Sequence, residues 1–209
     1  MLLPEQFALA LAAAIASGLN AYASVAMLGL LQRYDVIHLP PPLSRLSQDW
    51  VIGLALFLFA VEFFADKVPY FDNLWDAIHT FIRVPVGAAL ASGVFASHPG
   101  PWQPLMTVVG GALALQSHGT KASARLAVNA SPEPFSNWAL SLGEDAFVVF
   151  LLWLAVAHPY LTLILVAALA VAFFLLLRTI FRGFARLWRR LRKVPEPRLQ
   201  ATPTSRPPH

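Results

Sequence analysis

A chain of 209 residues that is 57% hydrophobic and only 12% charged, with mean hydropathy +0.61, lies outside the range of water-soluble domains, in which roughly 25% of residues are charged. It reads as a polytopic membrane protein. The net charge of +4 implies no nucleic-acid partner, because nine of the fifteen basic residues fall from Arg178 onward, and the lack of cysteine removes disulfides, thiolate metal sites and cysteine nucleophiles.

The first apolar run, residues 9–16, is preceded by Glu5 and by no Lys or Arg. It is therefore expected to be a retained membrane helix and not a signal peptide. Taking about 20 apolar residues per crossing, the sequence predicts helices over 6–31, 50–66, 74–97, 104–128, 137–157 and 160–181. The fold class is an all-α integral membrane protein of about six transmembrane helices, with residues 1–181 forming the membrane domain. Breaks fall at Pro40-Pro41-Pro42, Pro69, His98-Pro99-Gly100-Pro101, Ser131-Pro-Glu-Pro134 and His158-Pro159.

Two spans carry alternatives. In the first, Ser17-Gly18-Leu-Asn20 is either a small-residue packing face with Asn20 hydrogen-bonded across it, or a partly unwound segment lining a binding site. Gly87, Gly93, Gly110 and Gly111 share that ambiguity. The third span could be a re-entrant hairpin broken at Pro85-Val-Gly87.

Beyond the last span, residues 182–194 predict a basic amphipathic juxtamembrane helix. In it Arg182, Arg186, Arg189, Arg190 and Lys193 would meet the head groups of anionic lipids. Residues 195–209 are Pro-rich and polar, and are expected to be a disordered tail. By the positive-inside rule the arginine run is cytoplasmic, and six crossings put both termini there. Lys67, Lys121 and Arg125 fall on the same side, leaving only Arg33 and Arg45 outside.

Ionisable residues inside or at the ends of these spans are the main functional signal, since a charge in hydrocarbon is costly and marks a pathway or site. Helical spacing gathers them into stripes. Glu62 and Asp66 are four apart; Asp72, Asp76, His79 and Arg83 follow at 4, 3 and 4; His118, Lys121 and Arg125 at 3 and 4; Asn137, Ser141 and Asp145 at 4 and 4, with Glu144 adjacent. With both termini cytoplasmic, the four stripes lie at the cytoplasmic side of the membrane and are expected to face one another around a hydrated, cytoplasm-facing polar cavity. For Lys67, Asp72, Lys121 and Glu133 the competing reading is a solvated loop charge; for Glu62 with Arg83, a structural ion pair; for His79 and His118, a hydrogen-bonded packing role. A weak inverted-repeat character links Ser17-Gly18-Leu-Asn20 and Glu62/Asp66 to Ser117-His118-Gly119-Thr120 and Glu144/Asp145.

Over roughly residues 8–158 the chain resembles a family of small bacterial multi-pass membrane proteins catalogued only as a domain of unknown function. The resemblance rests on Ser17-Gly-Leu-Asn-Ala-Tyr22, on Glu62-Phe-Phe-Ala-Asp-Lys-Val-Pro through Arg83, on His118-Gly-Thr-Lys121, and on Ser131-Pro-Glu-Pro-Phe-Ser-Asn137 followed by Glu144-Asp145. It implies a bacterial inner-membrane protein and brings no activity or cofactor.

The residues themselves favour a transporter, channel or lipid translocator. Asn20, Glu62, Asp66, Asp76, Glu144 and Asp145 would lie on the path, His79 and His118 would act as relays, and Arg83, Lys121 and Arg125 would contact anions or head groups. The alternatives are a non-catalytic scaffold or subunit, whose homo-oligomeric state stays open, and an intramembrane enzyme or metal site using the carboxylates and histidines.

Overall fold

The computed structural model describes residues 1–67, 71–98, 100–129 and 134–191, and among them the chain is helical with no strand. Eight helices follow in order: α1 Leu3–Leu19, α2 Ala21–Arg33, α3 Pro41–Ser44, α4 Asp49–Ala65, α5 Phe71–Val94, α6 Trp102–Asn129, α7 Pro134–Ala157 and α8 Pro159–Leu191, with a 3-10 turn Arg45–Ser47 between α3 and α4. The predicted tail at 195–209, residues 192–194 of the basic segment and the solvated charge expected of Glu133 lie outside the described residues.

The first predicted span is two helices. Asn20 leaves helical geometry at φ −150°, ψ 102°, yet its backbone stays paired. Its N–H reaches Ala16 O at 2.8 Å and its carbonyl accepts from Ser24 N at 3.1 Å. Its side chain then restarts the helix, Oδ1 accepting from Ala23 N at 2.9 Å, as an N-cap asparagine does. At the other end of α1, the Glu5 carboxylate accepts the N–H of Leu2 at 2.7 Å, satisfying a donor that the helix start leaves free.

The third span is one continuous helix, as the predicted span over 74–97 requires, and the alternative of a hairpin broken at Pro85-Val-Gly87 does not occur. Pro85 lies inside α5 without ending it, because α5 is held along its length by close packing on α1 and α6. A Cβ on Gly87 would fall 2.5 Å from both Ala114 Cβ and Ser17 Oγ, one on Gly110 2.4 Å from Ala91 Cβ, and one on Gly18 2.0 Å from Ser117 Oγ. Neighbouring helices can support a proline that would break an isolated helix.

The packing and unwinding alternatives for residues 17–20 therefore both occur, Gly18 serving the first and Asn20 the second. Gly87→Leu is expected to abolish the monodisperse folded peak in detergent gel filtration, since overpacking alone costs about 1–3 kcal/mol and here meets two helices at once. Gly53→Ala, where an added Cβ meets nothing within 4 Å, is the control and should leave the melting temperature unchanged or slightly raised.

Helix α1 is the centre of the bundle. Apart from the partly buried Leu11, Ala8 through Ile15 are wholly buried, and α5, α6, α7 and α8 pack around it, while α2 rests on α4 and α7. The outside is apolar: Phe57 is 64% exposed, Phe81 84% and Val108 72%, whereas Glu62, Arg83 and Arg125 are fully buried. This inversion of the soluble pattern fits lipid as the surrounding medium.

Six crossings are expected from the sequence. By length and composition three helices qualify, Phe71–Val94, Phe135–Ala157 and Pro159–Arg186, and a fourth if the pair Pro41–Ser47 and Asp49–Ala65, bent by 69°, counts as one broken span. Helix α6 is long enough, but its charged stripe lowers its hydropathy. The apolar helix α1 is short because it stops at Asn20.

Candidate functional site

The C-terminal end of α4, one face of α5, the second half of α6 and the first half of α7 bring the predicted stripes into one buried network. Arg83 donates from Nη2 to Glu62 Oε1 at 2.6 Å and from Nη1 to Asp76 Oδ1 at 2.7 Å. Arg125 donates from Nη2 to both Asp66 Oδ2 at 2.9 Å and Glu144 Oε2 at 2.7 Å, and from Nη1 to the Asp66 carbonyl at 2.8 Å. Between them, Lys121 Nζ lies 2.9 Å from Asp66 Oδ2 and 3.5 Å from both Glu62 Oε1 and Glu144 Oε2. Lys121 also donates to the carbonyl of Leu19 at 3.0 Å, one of the acceptors freed by the break at Asn20. Charge network and helix break are thus one structure.

His118 is fixed by its partners. The Arg83 guanidinium, which can only donate, points Nη1 at His118 Nδ1 at 2.8 Å, so Nδ1 is the acceptor. The ring proton then sits on Nε2, 2.7 Å from Thr80 Oγ1, and the imidazole is neutral. His79 lies at the rim: its Nδ1 faces the Trp75 carbonyl at 2.8 Å, which requires a proton on Nδ1, while Nε2 lies 3.1 Å from the Tyr22 hydroxyl. Its ring stacks on Trp75 at 4.3 Å. His79 makes no direct bond to the carboxylates, so of the predicted residues it is the least integrated.

Asn20 joins the break to α7, donating from Nδ2 to Asp145 Oδ1 at 2.9 Å. Below, Asp72 accepts from Asn129 Nδ2 at 2.9 Å, and Asn129 Oδ1 accepts from Asn137 Nδ2 at 2.8 Å. Asp72 and Lys121 are buried, which corrects the reading of them as solvated loop charges. Each sits near a helix end in sequence, but the facing helix supplies a partner. Lys67 differs: its ammonium lies over the Phe63 ring at 2.9 Å and donates to the Phe63 carbonyl, within electrostatic reach of Asp145 and Asp66 but in no ion pair with them.

Asn129, Tyr22 and Thr80 were not among the predicted site residues. Asn129 had a signal, being four residues beyond Arg125 on the same stripe; Tyr22 and Thr80 had none beyond their neighbours. The four faces converge as the spacing implies, but onto each other, with Glu62, Asp66, Asp76, Arg83, Lys121 and Arg125 at most 2% exposed.

The balance of charge is uneven. Six carboxylates (Glu62, Asp66, Asp72, Asp76, Glu144, Asp145) meet three permanent cations (Arg83, Lys121, Arg125). Glu62 Oε2, Asp66 Oδ1, Asp76 Oδ2 and Asp145 Oδ2 are buried without a hydrogen-bond partner. Among the described residues no group of three or more His, Asp or Glu side chains is placed to hold a metal ion.

On the basic extension of α8, Arg178, Arg182, Arg186 and Arg189 line one exposed face around a recess of about 630 Å³. The Arg190 side chain and Lys193 lie outside the described residues.

Compared with known proteins, no curated protein and no solved structure matches the chain. One family model does, over residues 7–179, and that is most of the chain. The apolar exterior, the buried charge network and this match agree, and the chain belongs to the family described as Domain of unknown function (DUF4126).

Proposed function

We propose that this protein is a small proton-coupled transporter of the bacterial inner membrane. The observation that carries the reading is the surplus of buried carboxylates beside a broken helix. Three more acids than ion-paired cations, with four carboxylate oxygens lacking a hydrogen bond, cannot all stay ionised in a lipid-embedded bundle without large cost. Binding a proton is the compensation that needs no coordination shell. Asp145, bonded to Asn20 and without an ion pair among the described residues, is the proton acceptor, while Arg83, Lys121 and Arg125 hold the charges of Glu62, Asp66, Asp76 and Glu144 in place. Burial of the whole set favours a carrier over an open channel, because a continuous water path would leave these side chains exposed. Helix breaks at mid-membrane recur in carriers, where freed backbone groups line the site; here Lys121 occupies one of them.

His79, bonded to Tyr22 and to the Trp75 carbonyl, stands beside the path and not on it. The arginine face of α8 rests on the anionic cytoplasmic leaflet, where each basic side chain near the surface contributes about 1 kcal/mol.

The test is proton uptake into liposomes loaded with a pH-sensitive dye, under an imposed potential. Wild-type protein is expected to acidify or alkalinise the lumen well above empty liposomes, and Glu62→Gln and Asp145→Asn to cut the rate at least about tenfold, a change that corresponds to about 1.4 kcal/mol. Both variants transporting at the wild-type rate would remove the network from the path.

A second reading, a structural scaffold, draws on a specific observation: every permanent cation of the network already has carboxylate partners within the chain. On that reading the same variants lose folded protein and show no separable flux defect.

A further inference from the structure

The first two helices double back. Helix α1 begins beside the end of α5 and the start of α6, with the Phe7 ring 4.8 Å from Phe95 and 5.6 Å from Trp102. It ends deep in the bundle, where Lys121 reaches the Leu19 carbonyl at 3.0 Å. Helix α2 starts at that depth, with the Tyr22 hydroxyl 3.1 Å from His79 Nε2, and then returns. A Cβ on Gly29 would fall 2.4 Å from the Leu46 carbonyl oxygen, and Arg33, the last residue of α2, pairs with Asp49 at the start of α4. Met1, Glu5, Val36, His38 and Val156 border one recess of about 340 Å³. The start of α1, the end of α2 and the end of α7 therefore share a face. Helix α8 leaves from that face at Pro159 and carries Arg178, Arg182, Arg186 and Arg189 to the other.

We infer that α1 and α2 form a re-entrant hairpin, which enters from the outer face, turns at Asn20 near mid-membrane and leaves on the side it entered. Depth supports the turn: Asn20 bonds Asp145 at 2.9 Å, and Asp145 lies midway along α7. Length supports it too. At 1.5 Å per residue, the 17 residues of α1 and the 13 of α2 span about 26 Å and about 20 Å, each short of a hydrocarbon layer of about 30 Å. Non-helical backbone is tolerated at that depth only where protein buries it, and Asn20 is 1% exposed. Five crossings follow, α4 to α8. They replace the six crossings with both termini cytoplasmic that the sequence predicts, because that expectation takes residues 6–31 as one straight span. The arginines of α8 mark the cytoplasmic face, and the outer face keeps only Arg33 and Arg45 before α4, so the positive-inside bias is preserved.

The inference gives the transport reading two sides without resting on it. Asp145 is held by an element anchored on the outer face, and the fully buried residues Ala12 to Ala16 of α1 stand between that face and the charge network. The chain has no cysteine, so single cysteines are unique targets for a membrane-impermeant maleimide. Leu2 and Tyr34 are 68% and 73% exposed, and a Cβ on Gly183 meets nothing within 4 Å. Leu2→Cys and Tyr34→Cys are expected to label only in right-side-out membrane vesicles, and Gly183→Cys only in inside-out ones. With six crossings Leu2→Cys would instead label with Gly183→Cys, and Tyr34→Cys alone from the opposite side. That pattern, or all three on one side, would overturn the hairpin. A second measurement needs no vesicle orientation: a short bismaleimide should bridge Leu2→Cys to Val36→Cys within one chain, whereas helices crossing in line would hold these ends a hydrocarbon layer apart. Gel filtration establishes that each variant is folded, and a folded double variant that cannot be bridged would overturn the hairpin as well. Proton flux is read separately: its absence with the expected labelling would sink the transport reading and keep the topology.

Discussion

Arg83→Ala is expected to destabilise the protein by about 3–5 kcal/mol, the usual cost of removing one partner from a buried ion pair. Small domains have only about 5–15 kcal/mol in hand, so little folded protein should remain. The reason is the geometry on both sides of the guanidinium. Glu62 at 2.6 Å and Asp76 at 2.7 Å would be left as neighbouring buried carboxylates, and His118 would lose the donor that sets its tautomer. The double variant Glu62→Gln with Arg83→Ala removes one charge of each sign and is expected to recover part of the loss. That recovery, measured as melting temperature in detergent across the four proteins of the cycle, is the coupling energy of the pair. A wild-type melting temperature for Arg83→Ala alone would show that the network does not hold the helices together.

Lys121→Met is expected to have the second-largest effect, of similar size but different distribution. The lysine touches four helices: through Glu62 and Asp66 it ties α4 and its C-cap, through Asp76 at 3.9 Å α5, through Glu144 α7, and through the carbonyl of Leu19 the broken end of α1. Methionine keeps most of the volume, so the loss is chiefly charge and hydrogen bonding. Hydrogen–deuterium exchange should rise selectively between Ala16 and Ser24, where the backbone depends on this contact and on the Asn20 cap. Uniform change along α1, or none, would deny the link between the break and the charges. Lys121→Arg is expected to rescue poorly, because a planar fork does not reproduce the point contact of an ammonium in a closed site.

Much of this arrangement was legible in the chain. Apolar length placed α4, α5, α6 and α7 to within a few residues but missed the break at Asn20 and the short α3, and stripes at spacings of three and four identified the buried faces of α5 and α6, because helical periodicity is a local property. What was not legible depended on neighbours. Asp72 and Lys121 resemble loop charges when only their own helix is considered; Asn129 and the facing carboxylates make them core residues. Pro85 carries the local signature of a break, and the glycine-mediated approach of α1 and α6 overrides it. At Asn20 the choice between packing and unwinding turned on whether Ala23, Lys121 and Asp145 would be there to receive the freed groups. The count of crossings is the softest feature, since hydropathy registers the α6 stripe as polar without registering that its partners neutralise it.

The position of α1 has a consequence for how the protein is made. Its buried run is largely alanine, Ala8, Ala10, Ala12, Ala13, Ala14 and Ala16 all inaccessible, so four helices can approach a slim axis. Yet the ribosome produces that axis before α5, α6, α7 and α8, which form its walls. Until α6 is made, the Asn20 break and the Leu19 carbonyl stand without Lys121, and a truncation before α6 would leave the axis of the bundle with nothing to close around it.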